Sequence, residues 1–308
     1  MTNGHATRSD LLPAVLTSMR PRQWTKNLIL LAGVIFAQML AEPAAIWRAL
    51  AAVAVFCVAS GAVYIFNDLC DVEQDRQHPH KRRRPVACGR LTVPSAWRAW
   101  ALLMVVSMAA GWLLGSPFLM AVILFFVWNW IYSRILKKLP ILDVVGIGVS
   151  FVIRALAGVM VLVPLDPGVN VSLWLLICPF FLSLFLGFCK RRNELVKLAD
   201  DHGSTRPVLL SYTETVLNAM IGASFGLTLA AYALYTVWPS TVAHFGTPDL
   251  VWTTGLVFLG LWRYLYLVFK EGQGGRPHEI LLNDLSLQFM VVAWIVVFVV
   301  IIGTGPGA

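Results

Sequence analysis

Long apolar runs separated by short polar segments dominate this chain. A transmembrane helix needs about 20 apolar residues to cross a hydrocarbon layer of about 30 Å. Runs approaching or exceeding this length lie at 28–45, 47–66, 95–114, 117–133, 141–163, 172–189, 213–238, 249–269 and 284–303. The pattern predicts an all-α, polytopic membrane protein with about nine transmembrane helices. The first run is the weakest, because Glu42 and Pro43 fall at its end, so eight spans are the alternative.

The polar segments between the runs are too short to hold a soluble module. We therefore expect a cytoplasmic N-terminal segment at 1–27 and one integral membrane domain at 28–308, without an internal repeat. The composition agrees with this class, because 58% of the 308 residues are hydrophobic and only 13% are charged. Such values exclude a soluble globule with one ordinary core.

Basic residues are distributed unevenly between the two sets of loops. Lys and Arg cluster before the first run and after the second, fourth, sixth and eighth, whereas the opposite loops hold only Arg48. Cytoplasmic loops are the ones enriched in Lys and Arg. The pattern places the N-terminus and the charged clusters in the cytoplasm. This placement explains most of the net charge of +8, so the charge does not indicate binding of nucleic acid. Some of the basic residues can also attract anionic lipid.

An Asn-Asp-x-x-Asp-x-x-x-Asp cluster ends the second run. At helical spacing, Asn67, Asp68, Asp71 and Asp75 fall on one face, so three carboxylates and an amide oxygen point into the same space. Such a face repels itself unless cations separate the oxygens. Mg²⁺ prefers oxygen ligands and usually shares its coordination sites with substrate phosphates. The cluster predicts a magnesium-diphosphate site at a membrane surface.

Two basic segments are candidate phosphate sites. Lys190, Arg191 and Arg192 follow the sixth run, with Glu194 close behind, and they suit a phosphate that no metal bridges. They are equally interpretable as charges that stop translocation. The loop at 76–85, which contains Lys81 and Arg84, either closes over a diphosphate or is a solvated topogenic run.

Several other polar residues lie near the same membrane surface or inside a span. Lys26 and Asn27 precede the first run, where they can meet a lipid phosphate, and Tyr132 and Lys137 follow the fourth. Ionisable groups at membrane depth usually face a cavity or a partner. Arg154 is therefore either a functional residue or one half of an ion pair with Asp143, which shares its helix face. On the last cytoplasmic loop, Glu279 either caps a helix or joins Asp284 in the site.

These motifs resemble those of the UbiA superfamily of membrane prenyltransferases over nearly the whole chain. The closer resemblance is to the decaprenyl-phosphate phosphoribosyltransferases within that superfamily. The matching segments are Arg20–Asn27, Asn67–Arg76 with His78, Pro79, Lys81, Arg84 and Pro85, Tyr132 with Leu136 and Lys137, Ile153–Gly158, Lys190–Leu195, Ser211–Thr213, Pro277 with Glu279, and Asp284.

The resemblance implies a UbiA-like bundle around a cytoplasm-facing cavity in a bacterial inner membrane. It also implies transfer of 5-phosphoribose from phosphoribosyl diphosphate (PRPP) to a polyprenyl phosphate, in the synthesis of a precursor of cell-wall arabinan. Asp68, Asp71 and Asp75 are then the catalytic carboxylates, which hold Mg²⁺ with Asn67. The residues expected to bind substrate are Lys26, Asn67, Lys81, Arg84, Tyr132, Lys137, Arg154, Lys190, Arg191 and Glu194.

One departure from the wider superfamily bears on the substrate. Typical members carry a second aspartate-rich motif after the sixth span, where this chain has Lys190, Arg191 and Arg192. The exchange of carboxylates for cations favours one metal-bound diphosphate and one metal-free phosphate. The first alternative to phosphoribosyl transfer is transfer of a prenyl group from a prenyl diphosphate to an aromatic acceptor, which would use the same aspartate cluster. The second is a transporter or scaffold, although no paired broken helices indicate one.

Overall fold

The structure, a computed structural model, describes residues 8–79, 81–200, 207–275 and 277–304. These residues form helices and connecting turns, without a strand among them. The α-helices are α1 (Arg8–Ser18), α2 (Ala32–Phe36), α3 (Pro43–Cys70), α4 (Val72–Gln77), α5 (Val93–Leu114), α6 (Ser116–Arg134), α7 (Leu142–Met160), α8 (Leu173–Asp200), α9 (Glu214–Val237), α10 (Pro239–Phe245), α11 (Thr253–Lys270), α12 (Pro277–Asn283) and α13 (Leu285–Thr304). Five 3₁₀ helices join them: η1 (Pro21–Leu31), η2 (Lys81–Arg83), η3 (Leu136–Lys138), η4 (Pro207–Ser211) and η5 (Asp249–Trp252).

Eight helices in the described part of the chain are long and apolar enough to cross a membrane. They coincide with the second to ninth predicted spans, so the all-α, multi-pass architecture is confirmed. The residues group into two compact units, one ending at Leu175 and the other comprising Leu176–Asp200 and the described residues from Pro207 onward. The predicted boundary after residue 27 lies inside η1, so no element begins or ends there.

The prediction of a continuous first span at 28–45 is wrong. This stretch contains the end of η1, the five-residue α2, a turn and the start of α3. The left-handed backbone of Gln38, at φ 55°, follows the end of α2, and Pro43 then begins α3. Neither residue can continue a regular helix without cost.

Residues 21–42 nevertheless run antiparallel to α3. Gln23 accepts a hydrogen bond from Tyr64 at 3.5 Å, and Asn27 accepts one from Ser60 at 3.3 Å. The chain then continues to Glu42, directly before the first turn of α3. Eleven residues of 3₁₀ helix rise about 22 Å. The segment thus follows α3 from one end to the other without forming a long α-helix.

Small residues allow this segment to pack closely against the first unit. A Cβ atom added to Gly158 would lie 2.2 Å from the backbone oxygen of Leu30, and one added to Gly33 would lie 2.2 Å from that of Gly158. On α3, the buried alanines that share the same core are Ala45, Ala49, Ala52 and Ala59. Small side chains bring membrane helices together because packing, rather than water exclusion, drives their association.

We expect Gly158→Ala to lower the free energy of unfolding by about 2 kcal/mol, since overpacking costs about 1–3 kcal/mol and backbone atoms cannot turn aside. Gly111→Ala is the matched control, because its Cβ would meet Leu119 at an ordinary 3.4 Å. Thermal unfolding in detergent compares the two. Equal midpoints would show that the contact between η1 and α7 is looser than the structure describes.

Candidate active site

The predicted carboxylates surround the junction between α3 and α4. Asp71 interrupts the helix at φ −105° and ψ 7°, although its N–H still bonds to the Asn67 oxygen at 3.0 Å. The Asp75 N–H bonds in turn to the Asp71 oxygen at 2.8 Å. The expected single helical face is therefore a bent one. Asp68 and Asp75 are buried, whereas the Asp71 side chain is 28% exposed.

Basic side chains from three other segments neutralise these carboxylates. Arg20 pairs with Asp68, and Lys137 pairs with Asp71 at 2.6 Å. One nitrogen of Arg84, Nη1, lies 2.6 Å from Asp75 and 3.2 Å from Asp68. The expected cations between the oxygens are therefore present, but they are guanidinium and ammonium groups of the chain itself.

Arg20 is a site residue to which the sequence analysis gave no role. It lies between α1 and η1 in a left-handed conformation, at φ 53° and ψ 65°. Residues other than glycine rarely adopt this conformation. Its guanidinium lies 5.0 Å from the centre of the Tyr64 ring. The Arg-Pro-Arg-Gln-Trp motif was the available signal, but only the fold brings it to Asp68.

Of the basic loop at 76–85, the structure brings Arg84 to the carboxylates. Lys81 begins η2, the short 3₁₀ helix that precedes Arg84, while Arg82 and Arg83 are exposed. His80 of this loop lies outside the described residues. One cation of the loop thus enters the site, whereas Arg76, Arg82 and Arg83 are exposed, and closure of the loop over a diphosphate stays a prediction.

Asn67 and Tyr132 are fixed by neighbouring helices. The hydroxyl of Ser133, a residue that sequence reasoning did not select, donates a hydrogen bond to the Asn67 side-chain oxygen. The Tyr132 ring packs on α7, where a Cβ on Gly146 would approach it to 2.6 Å. The end of α6 therefore delivers Tyr132, Ser133 and then Lys137 beside the aspartates.

The donor set suits a hard divalent cation. Carboxylate and amide oxygens are the ligands that Mg²⁺ accepts, and the buried Oδ2 of Asp68 has no hydrogen-bond partner among the described residues. Within the same part of the chain, however, no three His, Cys, Asp or Glu side chains converge on one metal position. Arg84 occupies the place between Asp68 and Asp75. The metal assignment of Asn67, Asp68, Asp71 and Asp75 stays a prediction.

A second polar centre lies deeper in the first unit, around Arg154. Its guanidinium donates to the Asn27 side-chain oxygen at 2.9 Å and to the Ser150 hydroxyl and carbonyl at 2.7 and 2.8 Å. It also lies 4.6 Å from the centre of the Phe125 ring. No carboxylate of the described chain pairs with it, so the ion pair with Asp143 is not formed. A buried cation without a counter-ion can attract an anionic substrate.

Lys26 lies on η1, between Arg20 of the carboxylate site and Asn27, which binds Arg154. Its ammonium group donates to the Gln23 side chain at 2.7 Å, and Gln23 also accepts from Tyr64. Gln23 was not among the predicted site residues. This shared acceptor places Lys26 within the polar network that begins at Arg20.

In the second unit, the predicted basic cluster surrounds one carboxylate. Arg191, which is 1% exposed, pairs with Glu194 at 2.6 Å, and Lys190 lies 3.8 Å from the same residue. Arg192 instead pairs with Glu214 at 2.6 Å and covers the Phe269 ring. The structure therefore brings Lys190, Arg191 and Glu194 together and separates Arg192 from them. Substrate binding by these three residues stays a prediction.

The last loop ends in a helix cap at the start of α13. Asp284 accepts a hydrogen bond from the Leu287 N–H at 2.7 Å at the start of α13. Arg263 pairs with the same carboxylate at 2.7 Å. The hydrogen bond from Arg263, followed by that from Leu287, holds the pKa of Asp284 below its usual range. Asp284 therefore caps α13 and ties it to α11, and a role of Glu279 or Asp284 in the site stays a prediction.

The chain is similar along nearly its whole length to known bacterial enzymes. Relatives named decaprenyl-phosphate phosphoribosyltransferase are 33% identical in Mycolicibacterium smegmatis and 31% identical in Mycobacterium tuberculosis. The first alignment covers 93% of this chain and 91% of the relative, and the second covers 93% of each. A third relative of the same name, from Corynebacterium glutamicum, is 30% identical over 93% of this chain and 86% of its own.

Solved structures of the same fold are more distant in sequence. A UbiA homologue from Archaeoglobus fulgidus, bound to GPP and Mg²⁺, is 17% identical and superposes with a TM-score of 0.70. That comparison covers 94% of this chain and 100% of the homologue. The family described as the UbiA prenyltransferase family matches residues 28–277. These residues make up most of the chain, and the chain belongs to the UbiA prenyltransferase family.

Proposed function

We propose that this protein transfers 5-phosphoribose from PRPP to a polyprenyl phosphate, such as decaprenyl phosphate, and releases diphosphate. The observation that carries this proposal is the unequal distribution of charge. One carboxylate cluster lies at the end of α3, whereas the described residues of α8 present Lys190 and Arg191 around a single Glu194. One metal-bound diphosphate and one metal-free phosphate suit this distribution. The three relatives whose alignments cover 93% of this chain are named decaprenyl-phosphate phosphoribosyltransferase, a name that contains the proposed acceptor.

The carboxylates of the first unit would bind the donor. Asp68, Asp71 and Asp75, with the Asn67 amide oxygen, would hold Mg²⁺, which neutralises charge on a departing diphosphate. Ser133 fixes the orientation of Asn67, since its hydroxyl occupies the amide oxygen from one side. Lys137 lies next to Asp71, where its ammonium group can bind a phosphate oxygen of the donor.

The acceptor needs little activation. A phosphate monoester has a second pKa near 6, so its oxygens are already anionic near pH 7. No general base is then required to make it a nucleophile. Attack on ribose C1 from the face opposite the diphosphate would invert that carbon. The bond from C1 to the diphosphate oxygen breaks with both electrons going to the diphosphate, while the lipid phosphate oxygen forms the new bond.

Basic side chains, rather than a metal ion, would orient the 5-phosphate of the donor and the phosphate of the lipid. Arg154 is buried and has no carboxylate partner in the described chain, and Lys26 lies on the adjacent η1. In the second unit, Lys190 and Arg191 are the candidates. The assignments of Lys81, Tyr132 and Glu194 to substrate binding belong to the same proposal. The prenyl chain would lie among apolar helices in lipid, and PRPP, which is soluble, would enter from the cytoplasm.

The positive-inside distribution supports an active site on the cytoplasmic side of a bacterial inner membrane. The product would be a precursor of cell-wall arabinan. The charged residues of the first unit gather where α3 and α6 end. A multi-pass enzyme with this arrangement can bind soluble PRPP and a lipid phosphate while its apolar helices contact membrane lipid.

Two parallel reactions of purified protein with Mg²⁺ test the proposal. One receives ribose-labelled PRPP and decaprenyl phosphate, and the other receives a labelled prenyl diphosphate and 4-hydroxybenzoate. We expect ribose label in the lipid phase of the first reaction and no product in the second. A prenylated aromatic in the second reaction alone would favour the ordinary prenyltransferase activity of the family and overturn the proposal.

A further inference from the structure

The position of Arg84 bears on how the carboxylates can receive a metal ion. Its Nη1 atom lies within 3.2 Å of both Asp68 and Asp75, which are each 2% exposed. A single cationic nitrogen thus bridges two buried carboxylates. Arg20 contributes a second guanidinium to Asp68. Both arginines contact Oδ1 of Asp68, and Arg84 also contacts Oδ2 of Asp75, so the chain itself neutralises the two carboxylates while Oδ2 of Asp68 stays without a partner among the described residues.

A metal ion and these guanidinium groups cannot share the same place. Like charges a few ångströms apart repel strongly where water is scarce. The carboxylates would also lose the bridging nitrogen, because a bound metal needs its ligand oxygens at about 2.0–2.1 Å for Mg²⁺. A metal ion that joins Asp68 to Asp75 would therefore displace Arg84 from its place between them. Its charge would also repel Arg20 from Asp68.

We propose that Arg20 and Arg84 are exchangeable counter-ions, which stabilise the metal-free carboxylates and turn to the phosphates of the donor once a divalent cation replaces them. This inference rests on the magnesium-diphosphate site of the proposed function. The ligand class is the magnesium complex of a diphosphate. Free diphosphate binds weakly, because the two guanidinium groups are still held by Asp68 and Asp75.

Both arginines are placed so that they can turn. Each side chain is 27% exposed, so the carboxylate end is buried while part of the arginine faces open space. Arg84 lies directly after the three-residue η2, and Arg20 lies at the junction of α1 and η1. Neither residue is in the interior of a long helix, and the movement can be confined to the side chain.

The variants Arg84→Gln and Arg20→Gln test whether the arginines are exchangeable or fixed counter-ions. Thermal unfolding of detergent-purified protein without substrate is the measurement. In EDTA, we expect Arg84→Gln to unfold at a lower temperature than wild type, since it leaves Asp75 buried without its cation. Titration with Mg²⁺ alone should then raise its midpoint more than that of wild type, with half-saturation at a magnesium concentration lower by about tenfold. Arg20→Gln should shift half-saturation in the same direction.

The direction reverses when diphosphate is present. Inorganic diphosphate with Mg²⁺ should bind about tenfold more weakly to both variants, because each has lost a guanidinium that would meet a phosphate. Arg22→Gln and Arg83→Gln are matched controls, since both arginines are exposed neighbours in the same segments. They should follow wild type in both titrations.

Opposite shifts for metal and for magnesium diphosphate support the exchange. Weaker binding of Mg²⁺ alone in both variants would overturn it, as would unchanged binding of magnesium diphosphate. If Arg84→Gln cannot be purified, Arg20→Gln decides, because Asp68 keeps Arg84 in that variant. Diphosphate is common to PRPP and to prenyl diphosphates, so these results do not depend on which group the enzyme transfers.

Discussion

Asp68→Asn is expected to lower the rate of phosphoribosyl transfer by at least about a hundredfold. Loss of the metal's stabilisation of a leaving group costs several kcal/mol, and each 1.36 kcal/mol is tenfold in rate. Asp68 combines burial with contacts to both Arg20 and Arg84, and its Oδ2 has no hydrogen-bond partner among the described residues. The isosteric amide keeps the volume of the side chain. Initial rates of label transfer from PRPP to lipid measure the effect.

Glu73→Gln is the matched control for this variant. Glu73 lies in α4, five residues from Asp68, but its side chain is 77% exposed and, within the described part of the chain, pairs with Arg76 at the surface. Exposed ion pairs contribute little, so its rate should match wild type. An Asp68→Asn enzyme with a rate within threefold of wild type would remove Asp68 from the metal site.

Arg154→Gln is expected to weaken substrate binding by about tenfold to a hundredfold without lowering thermal stability. A hydrogen bond to a charged group contributes about 1.5–3 kcal/mol, and Arg154 is the buried cation that lacks a carboxylate partner in the described chain. Burial of an unpaired charge is costly. The neutral amide relieves that cost and can still donate to Asn27. Thermal midpoints and KM values for both substrates measure the two effects.

Arg98→Gln serves as the control, because Arg98 is exposed in the second turn of α5. It should change neither the midpoint nor either KM. A fall in midpoint for Arg154→Gln with unchanged KM values would contradict the substrate role. It would assign Arg154 to holding η1 against α7 through Asn27 and Ser150.

Hydrophobic length alone was sufficient to locate the eight long helices. A continuous run of about 20 apolar residues satisfies its backbone hydrogen bonds in lipid by forming a helix. The ends of α5 and α13 therefore agree with the runs at 95–114 and 284–303 to within about two residues. Hydrophobic length does not predict which helices are buried by other helices. Both α3 and α5 are apolar, yet α3 is mostly buried and α5 is mostly exposed on the surface of the bundle.

The first run was misassigned because composition does not report backbone conformation. The run at 28–45 is nearly long enough for a span, yet its first residues lie in a 3₁₀ helix that packs in close contact with Gly158. That contact joins positions more than a hundred residues apart in sequence. Only the folded structure shows that the chain passes along α3 without a long helix.

The carboxylates of the site were predictable, and so were Arg84 and Lys137 as site residues, but Arg20 and the ion pairs themselves were not. Asp68, Asp71 and Asp75 share a local spacing that sequence reasoning can use. Their cations come from Arg20, 48 residues before Asp68, and Lys137, 66 residues after Asp71. Such pairs depend on how α1, α3 and α6 pack. Arg154 was selected for its depth in the membrane, but its neutral partners were not foreseen.

Doubly labelled PRPP tests the central claim most directly, with one label in the ribose and another in the 5-phosphate. Purified protein, Mg²⁺ and decaprenyl phosphate should move both labels into the lipid phase in a ratio of one to one, while diphosphate stays in water. Asp68→Asn should move neither. Transfer of phosphate label without ribose, or release of both labels into water only, would contradict phosphoribosyl transfer to a lipid phosphate.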